Sequence, residues 1–169
     1  DMSKPFVAIV GRPNVGKSTL LNGLAQRHVS IVEDIPGVTR DRIYCNVQWL
    51  DKEFTMIDTG GIEFRNKADQ LIDGIREQAQ LAMEADVILF VVDARTGITK
   101  DDNIIADMLR RTGKPVVLAV NKVDTETLEL SVYEFYSLGL GDPIGVSAVN
   151  RLGFGDLLDQ VTAGFPDAT

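Results

Sequence analysis

One stretch close to the start of the sequence constrains this chain more than any other. Residues 11–19 read Gly-Arg-Pro-Asn-Val-Gly-Lys-Ser-Thr, which contains the pattern G-x-x-x-x-G-K-[ST]. The stretch follows the apolar run Phe6–Val10 and precedes a helix-like run, Lys17–Ala25. A glycine-bounded loop between a strand and a helix can turn successive backbone N–H groups inward around phosphate oxygens. The sequence therefore predicts a phosphate-binding loop.

The polar side chains of this loop have distinct predicted roles. Lys17 would reach the β- and γ-phosphates of a nucleotide, and the hydroxyl of Ser18 would ligate Mg²⁺. A glycine-rich turn without a ligand is the alternative, which the flanking strand and helix disfavour. The other residues expected to line the phosphates are Gly11, Arg12, Pro13, Asn14, Val15, Gly16 and Thr19.

Length, charge and cysteine content exclude several classes of protein. The 169 residues are expected to form one domain, residues 1–169, and carry 17 basic against 25 acidic side chains, a net charge of −8. This charge has the wrong sign for a surface that binds nucleic-acid phosphates by itself. Cys45 has no partner for an internal disulfide, which favours a reducing compartment. The longest apolar run, Val87–Val92, is too short to span a bilayer, and no secretory leader is visible, so a cytoplasmic location is expected.

Strand-like and helix-like runs alternate along the chain, which predicts an α/β doubly wound sheet with helices on both faces. The run Tyr44–Leu50 alternates in polarity and turns tightly at Asp51–Glu53 into the next strand, so one edge of this mostly parallel six-stranded sheet should be antiparallel. The predicted strands are Phe6–Val10, Tyr44–Leu50, Phe54–Ile57, Val87–Val92, Val116–Val120 and Ile144–Val146. The predicted helices are Lys17–Ala25, Ala68–Met83, Asp101–Arg111, Leu128–Leu138 and Phe154–Ala163.

Four residues follow the third predicted strand: Asp58, Thr59, Gly60 and Gly61. A carboxylate beside a phosphate loop can hold Mg²⁺, usually through water, and Gly61 would let a backbone N–H approach the γ-phosphate. The four residues by themselves are a weak signal, because an Asp and a Gly often make a plain turn. Their position after the phosphate loop makes the signal strong.

A polar connection, residues 30–41, joins the first helix to the second strand. Thr39 within it is the candidate to complete a Mg²⁺ shell while a γ-phosphate is present, and a plain surface threonine is the alternative. Arg40 and Arg42 could place a cation on the transferring phosphoryl group, although solvated ion pairs, for example with Asp41, are the favoured interpretation.

The residues after the fifth predicted strand, Asn121-Lys122-Val123-Asp124, predict a purine-reading loop. Asp124 offers two acceptor oxygens that match N1–H and the exocyclic amine of guanine, whereas adenine lacks both donors. Lys122 can lie along the purine face, and Asn121 can tie this loop to the phosphate loop. A helix cap is the alternative. Ser147 and Ala148, after the last strand, would offer a backbone N–H to guanine O6.

These elements together resemble the guanine-nucleotide-binding set of the Ras-like translation-factor-class GTPases. Three sequence motifs resemble those of the first GTPase domain of the bacterial EngA family, also called Der. They are Gly-Arg-Pro-Asn-Val-Gly-Lys-Ser, Pro-Gly-Val-Thr-Arg-Asp-Arg and Asp-Thr-Gly-Gly-Ile. The resemblance runs from about Lys4 to Leu158 and implies maturation of the large ribosomal subunit. It also implies a longer protein with a second GTPase domain and a KH-like domain, which would be partners of this one.

Hydrolysis would depend on positioning and charge rather than on a general base. Ras-type enzymes orient the attacking water with a glutamine directly after the Asp-x-x-Gly element, where this chain has Ile62, itself expected to border the nucleotide. The resembling family shares this departure, and its relatives use K⁺ held partly by a loop asparagine, which implies K⁺ at Asn14. A plain turn residue is the alternative for Asn14. The predicted catalytic residues are Lys17, Thr39, Gly61 and Asn14, while His28 is expected at the surface.

Two classes of function remain open from the sequence. The first is a Mg²⁺-dependent GTPase whose segments 30–41 and 62–69 change shape when the γ-phosphate is lost. The second is a nucleotide-gated module that docks on the ribosome or on its own neighbouring domains with negligible hydrolysis, which Ile62 favours. An ATPase is disfavoured by Asp124.

Overall fold

A mostly parallel sheet lies at the centre of the molecule. The computed structural model describes residues 4–25, 43–58 and 67–166. Within them the sheet has six strands in the order β2-β3-β1-β4-β5-β6. The strands are β1 (Phe6–Val10), β2 (Ile43–Trp49), β3 (Lys52–Asp58), β4 (Val87–Asp93), β5 (Val116–Asn121) and β6 (Ile144–Gly145). Strands β2 and β3 pair antiparallel and the other neighbours pair parallel, so the predicted fold class and antiparallel edge are confirmed.

The helices lie between the strands as the sequence predicts. They are α1 (Lys17–Ala25), α2 (Lys67–Glu84), α3 (Lys100–Thr112), α4 (Glu126–Ser131) and α5 (Phe154–Ala163), with a 3₁₀ helix at Val132–Leu138. Helix α3 shows why such boundaries are readable. The Thr99 side chain accepts the Asp102 N–H, the Asp102 carboxylate accepts the Thr99 N–H, and Gly113 ends the helix at φ 69°.

The predicted helix Leu128–Leu138 differs from the structure. An α-helix begins instead at Glu126, behind the N-cap Thr125, and gives way to the 3₁₀ helix after Ser131. The Ser131 hydroxyl donates to the Leu128 carbonyl at 2.6 Å. This side-chain hydrogen bond competes with the regular backbone hydrogen bonds of the helix. The apolar spacing alone could not reveal this local competition.

Each face of the sheet carries its own apolar core, because successive residues of a strand point to opposite sides. On one face Val7 and Ile9 pack with leucines of α1 and α5. On the other face Ala8 and Val10 pack against α2, α3 and the 3₁₀ helix. Strand β4 is buried at all seven positions, as its continuous apolar run predicts.

This topology brings the functional loops together. Strands β1, β3, β4 and β5 run in the same direction, so their carboxyl ends meet at one edge of the sheet. None of the helices within the described ranges is long and apolar enough to cross a membrane.

Candidate nucleotide-binding site

The backbone of the phosphate loop needs its two glycines. Gly16 has φ 92°, and a Cβ there would lie 2.5 Å from Nδ2 of Asn121. A Cβ on Gly11 would lie 2.7 Å from the Val91 carbonyl oxygen. Asn14 also adopts a left-handed conformation, φ 70°, which asparagine tolerates better than most residues. The loop is therefore packed against β4 and β5 at positions where no side chain fits.

Lys17 folds back over its own loop. Its Nζ donates to the carbonyl oxygens of Gly11 at 2.5 Å and Arg12 at 3.2 Å, and the side chain is buried. Burial lowers the pKa of Lys17 to about 8, and the nearby Arg12 charge adds to the decrease, while Asp58 opposes it. An anion entering the loop would add negative charge beside this ammonium and stabilise its charged form.

The lowered pKa of Lys17 predicts a pH dependence of nucleotide affinity. A bound phosphate stabilises the charged amine, so binding takes up a proton above pH 8 and affinity falls as the pH rises. We expect the dissociation constant for GDP to increase about tenfold between about pH 7 and 9, measured by calorimetry. The Lys17→Met variant is the control for ionisation of guanine N1–H. Its weaker affinity should change by less than about twofold over this range. A flat profile in the wild-type protein would contradict the assigned role of the amine.

Ser18 and Asp58 come together beside the loop. The Ser18 hydroxyl lies 3.4 Å from Oδ2 of Asp58, whose position follows from the pairing of Ile9 with Asp58 across β1 and β3. A hydroxyl and a carboxylate are oxygen ligands of the kind that Mg²⁺ prefers. Across the described ranges no three His, Cys, Asp or Glu side chains form a metal-binding group. A magnesium ion here would therefore need phosphate oxygens and water to complete its shell.

Asn121 joins three loops. Its Nδ2 donates to the Val15 carbonyl at 2.9 Å, and its Oδ1 accepts the Ala148 N–H at 3.0 Å. The side chain is 2% exposed. The predicted link between the purine-reading loop and the phosphate loop is present in the structure, and a link to the loop after β6 is added to it.

The loop after β6 uses its backbone donors within the protein. The Ser147 N–H donates to the Leu152 carbonyl at 3.0 Å, and the Ala148 N–H is taken by Asn121. Donation from this loop to guanine O6 stays a prediction.

Lys122 also reaches the phosphate loop. Its Nζ donates to the Asn14 carbonyl and to Oδ2 of Asp93, both at 2.9 Å. Sequence reasoning missed Asp93, although its place at the carboxyl end of β4 was an available signal. Asp93 is nearly fully buried and fixes the amine that the sequence assigns to the purine face.

Asp124 already has a cationic partner. Nη2 of Arg95, in the turn after β4, lies 2.5 Å from Oδ2 of Asp124. The exposed fractions of the two side chains are 58% and 23%. Sequence reasoning missed this pair, because the two residues lie in different loops.

Three further contacts brace the phosphate loop. The Gly11 N–H donates to Oε1 of Gln78, a buried side chain of α2, at 3.1 Å. Arg12 donates to the Thr96 hydroxyl at 2.7 Å and pairs with the buried Asp102 of α3, Nε to Oδ1, at 3.4 Å. Sequence reasoning missed these partners, since an isolated glutamine or aspartate on a helix carries no motif.

The remaining predicted site residues divide into two groups. In the phosphate loop Val15 is buried, whereas Pro13 and Thr19 are exposed. Several predictions fall outside the described residues, including the whole connection 30–41. The site residues concerned are Thr39, Thr59, Gly60, Gly61 and Ile62, together with Arg40, Arg42 and His28.

A phosphate loop after β1, braced by an Asn-Lys-x-Asp loop after β5, defines a P-loop GTPase domain. The comparison with known families agrees with this class. The chain belongs to the family described as 50S ribosome-binding GTPase, which residues 6–122 match.

Similar sequences narrow the family assignment within the GTPases. The chain is 62% identical to GTPase Der of Lachnoclostridium phytofermentans over 167 residues, which are 98% of this chain and 38% of that protein. The resemblance to the EngA/Der family is thereby confirmed, and this chain spans 38% of the length of that relative.

Solved structures agree with the fold. Era from Aquifex aeolicus bound to GDP·AlF4⁻ matches with a TM-score of 0.76 and 30% identity, over 99% of this chain and 59% of that one. Era in complex with MgGDPNP and part of 16S ribosomal RNA matches with a TM-score of 0.74 and 30% identity, over 100% of this chain and 59% of that one.

Proposed function

We propose that this domain binds GTP with Mg²⁺, hydrolyses it to GDP and phosphate, and acts as a switch in assembly of the large ribosomal subunit. We further propose that it works in the cytoplasm as the first domain of a longer protein, beside a second GTPase domain and a KH-like domain. The similarity to GTPase Der over nearly the whole chain supports the biological role. Contact with the ribosome would then involve the full-length protein, because the net charge of −8 disfavours direct RNA binding by this domain.

The observation that carries the proposal is the pair of hydrogen bonds made by Asn121. One side chain links the backbone of the phosphate loop to that of the loop after β6, and Asp124 follows it by three residues. The group that would bind phosphate and the carboxylate that would read the base therefore lie at one edge of the sheet. This arrangement suits a guanine nucleotide, whose base and phosphates need both sites at once.

Ser18 and Asp58 fit a magnesium ion, and we assign them to it together with Thr39. When bound, the ion would neutralise charge on the β- and γ-phosphate oxygens. Lys17 would hold the same oxygens from the loop and withdraw charge from them. The backbone N–H groups of the loop and of Gly61 would orient the γ-phosphate, so catalysis would come from positioning and electrostatics.

Single-turnover hydrolysis tests the enzymatic proposal. Purified domain loaded with GTP and Mg²⁺ should release phosphate faster than the Asp58→Ala variant does. Asp156→Ala, which changes an exposed acidic residue of α5, is the matched control and should behave as wild type. Tight GTP binding without phosphate release would instead favour the nucleotide-gated docking module, for which Ile62 is the sequence argument.

We also propose that K⁺ stimulates the reaction through Asn14. GTP turnover is expected to be severalfold faster in K⁺ than in Na⁺ at equal ionic strength, because K⁺ would supply charge that an arginine finger supplies elsewhere. Asn14→Gly is the suitable variant, since glycine tolerates the left-handed φ of 70° while removing the side-chain ligand. It should lose the difference between the cations. Equal turnover in both cations, by wild-type protein that does hydrolyse GTP, would remove the idea.

A further inference from the structure

We propose that Arg95 competes with the guanine base for Asp124 and thereby sets nucleotide affinity. The inference rests on the proposed function in one respect, the assignment of Asp124 to the purine. It concerns a residue outside the motifs that define the site. The Arg95 guanidinium and the incoming base would compete for the Asp124 carboxylate.

The chemistry of the two competitors is alike. Guanine presents N1–H and an exocyclic amine, two parallel donors on one edge, to a carboxylate. The guanidinium of Arg95 is planar and presents the same kind of N–H edge, and its Nη2 lies 2.5 Å from Oδ2 of Asp124. Competition between them means that the arginine releases this oxygen, at least in part, when guanine takes both oxygens of the carboxylate.

The geometry of the turn allows the side chain to leave without disturbing the site. The Arg95 N–H donates to Oδ1 of Asp93 at 2.8 Å, which fixes the backbone, and the Thr96 hydroxyl accepts from Arg12 at 2.7 Å. The Arg95 side chain is 58% exposed, so it can rotate into water without opening the core. The Thr96 contact with the phosphate loop can therefore stay in place while the Arg95 contact with the purine-reading loop is broken.

The size of the effect follows from exposure. Ion pairs with this degree of solvent contact contribute little, so displacing the arginine should weaken nucleotide binding modestly. We expect Arg95→Ala to lower the dissociation constant for GDP about two- to fivefold. Arg95→Lys retains a cation near the carboxylate but lacks the planar fork, and it should give an intermediate value.

The experiment compares GDP dissociation constants by calorimetry with Mg²⁺ present. Arg111→Ala is the matched control, because Arg111 is an exposed arginine of α3 that pairs with Asp107 instead. It should leave affinity unchanged, which separates competition at Asp124 from general loss of positive charge. Because Arg95 is exposed, the unfolding temperature of Arg95→Ala should stay near that of the wild type.

A spectroscopic readout tests the displacement directly. The side-chain Nε–H resonance of Arg95 should shift when GDP is added and stay unchanged when inorganic pyrophosphate, which has no base, fills the phosphate loop. Weaker or unchanged GDP binding by Arg95→Ala would overturn the inference. An Arg95 Nε–H resonance that does not shift when GDP is added would also overturn it. Absence of GDP binding by the wild-type protein would instead overturn the proposed function.

Discussion

Replacing Lys17 by alanine is expected to raise the dissociation constants for GDP and GTP at least about 100-fold, a loss of about 3 kcal/mol. The ammonium is held over the loop by the carbonyls of Gly11 and Arg12 and is almost fully buried. An interaction between this charge and a phosphate is weakly screened by water, so it should be strong. Calorimetry with Mg²⁺ present measures the effect.

The control for Lys17→Ala is Lys52→Ala, which removes an exposed lysine from the β2–β3 hairpin. It changes the net charge equally and should leave nucleotide affinity unchanged. The unfolding free energy of the empty protein should change much less than the affinity does, because burial already disfavours the charged amine there. A Lys17→Ala protein that binds GDP within about threefold of the wild type would contradict the assignment of the phosphate loop.

Replacing Asn121 by alanine is expected to have the second-largest effect, on stability and affinity together. The change leaves the Val15 carbonyl and the Ala148 N–H without their buried partner, and each loss costs about 1–3 kcal/mol. The free energy of unfolding should decrease by about 2–6 kcal/mol in chemical denaturation. Because the phosphate loop and the loop after β6 lose their common tie, GDP affinity should fall at least about tenfold.

Asn103→Ala is the control for Asn121→Ala. Asn103 is an exposed asparagine of α3 whose side-chain amide donates a long hydrogen bond, 3.4 Å, to the Thr99 carbonyl. Its removal should change the unfolding free energy by less than about 0.5 kcal/mol. If the two variants were equally stable and bound GDP equally well, Asn121 would not be the link that the structure indicates.

The local predictions agree well with the structure for a common reason. The phosphate-loop pattern specifies backbone conformations that two glycines allow, and apolar runs specify strands covered on both faces. The edge hairpin was readable because the predicted turn, Asp51–Glu53, is too short for a parallel crossover. In the structure the turn is one residue earlier and shorter, Leu50–Asp51. Helix ends were harder to predict. At the end of α4, for example, the Ser131 hydroxyl bonds the Leu128 carbonyl, and the spacing of apolar residues does not reveal such a bond.

The sequence by itself determined the fold class and the phosphate-loop pattern, and it supplied the residues proposed to read guanine, because each is encoded in a short contiguous pattern. Tertiary structure alone decided which residues support that pattern. Gln78 lies 67 positions from Gly11, and Arg95 lies 29 positions from Asp124. Arg95 and Asp124 meet because parallel strands deliver their carboxyl ends to one edge of the sheet, whereas Gln78 meets Gly11 because α2 packs against β1. Both arrangements depend on the packing of the whole chain and not on a local pattern.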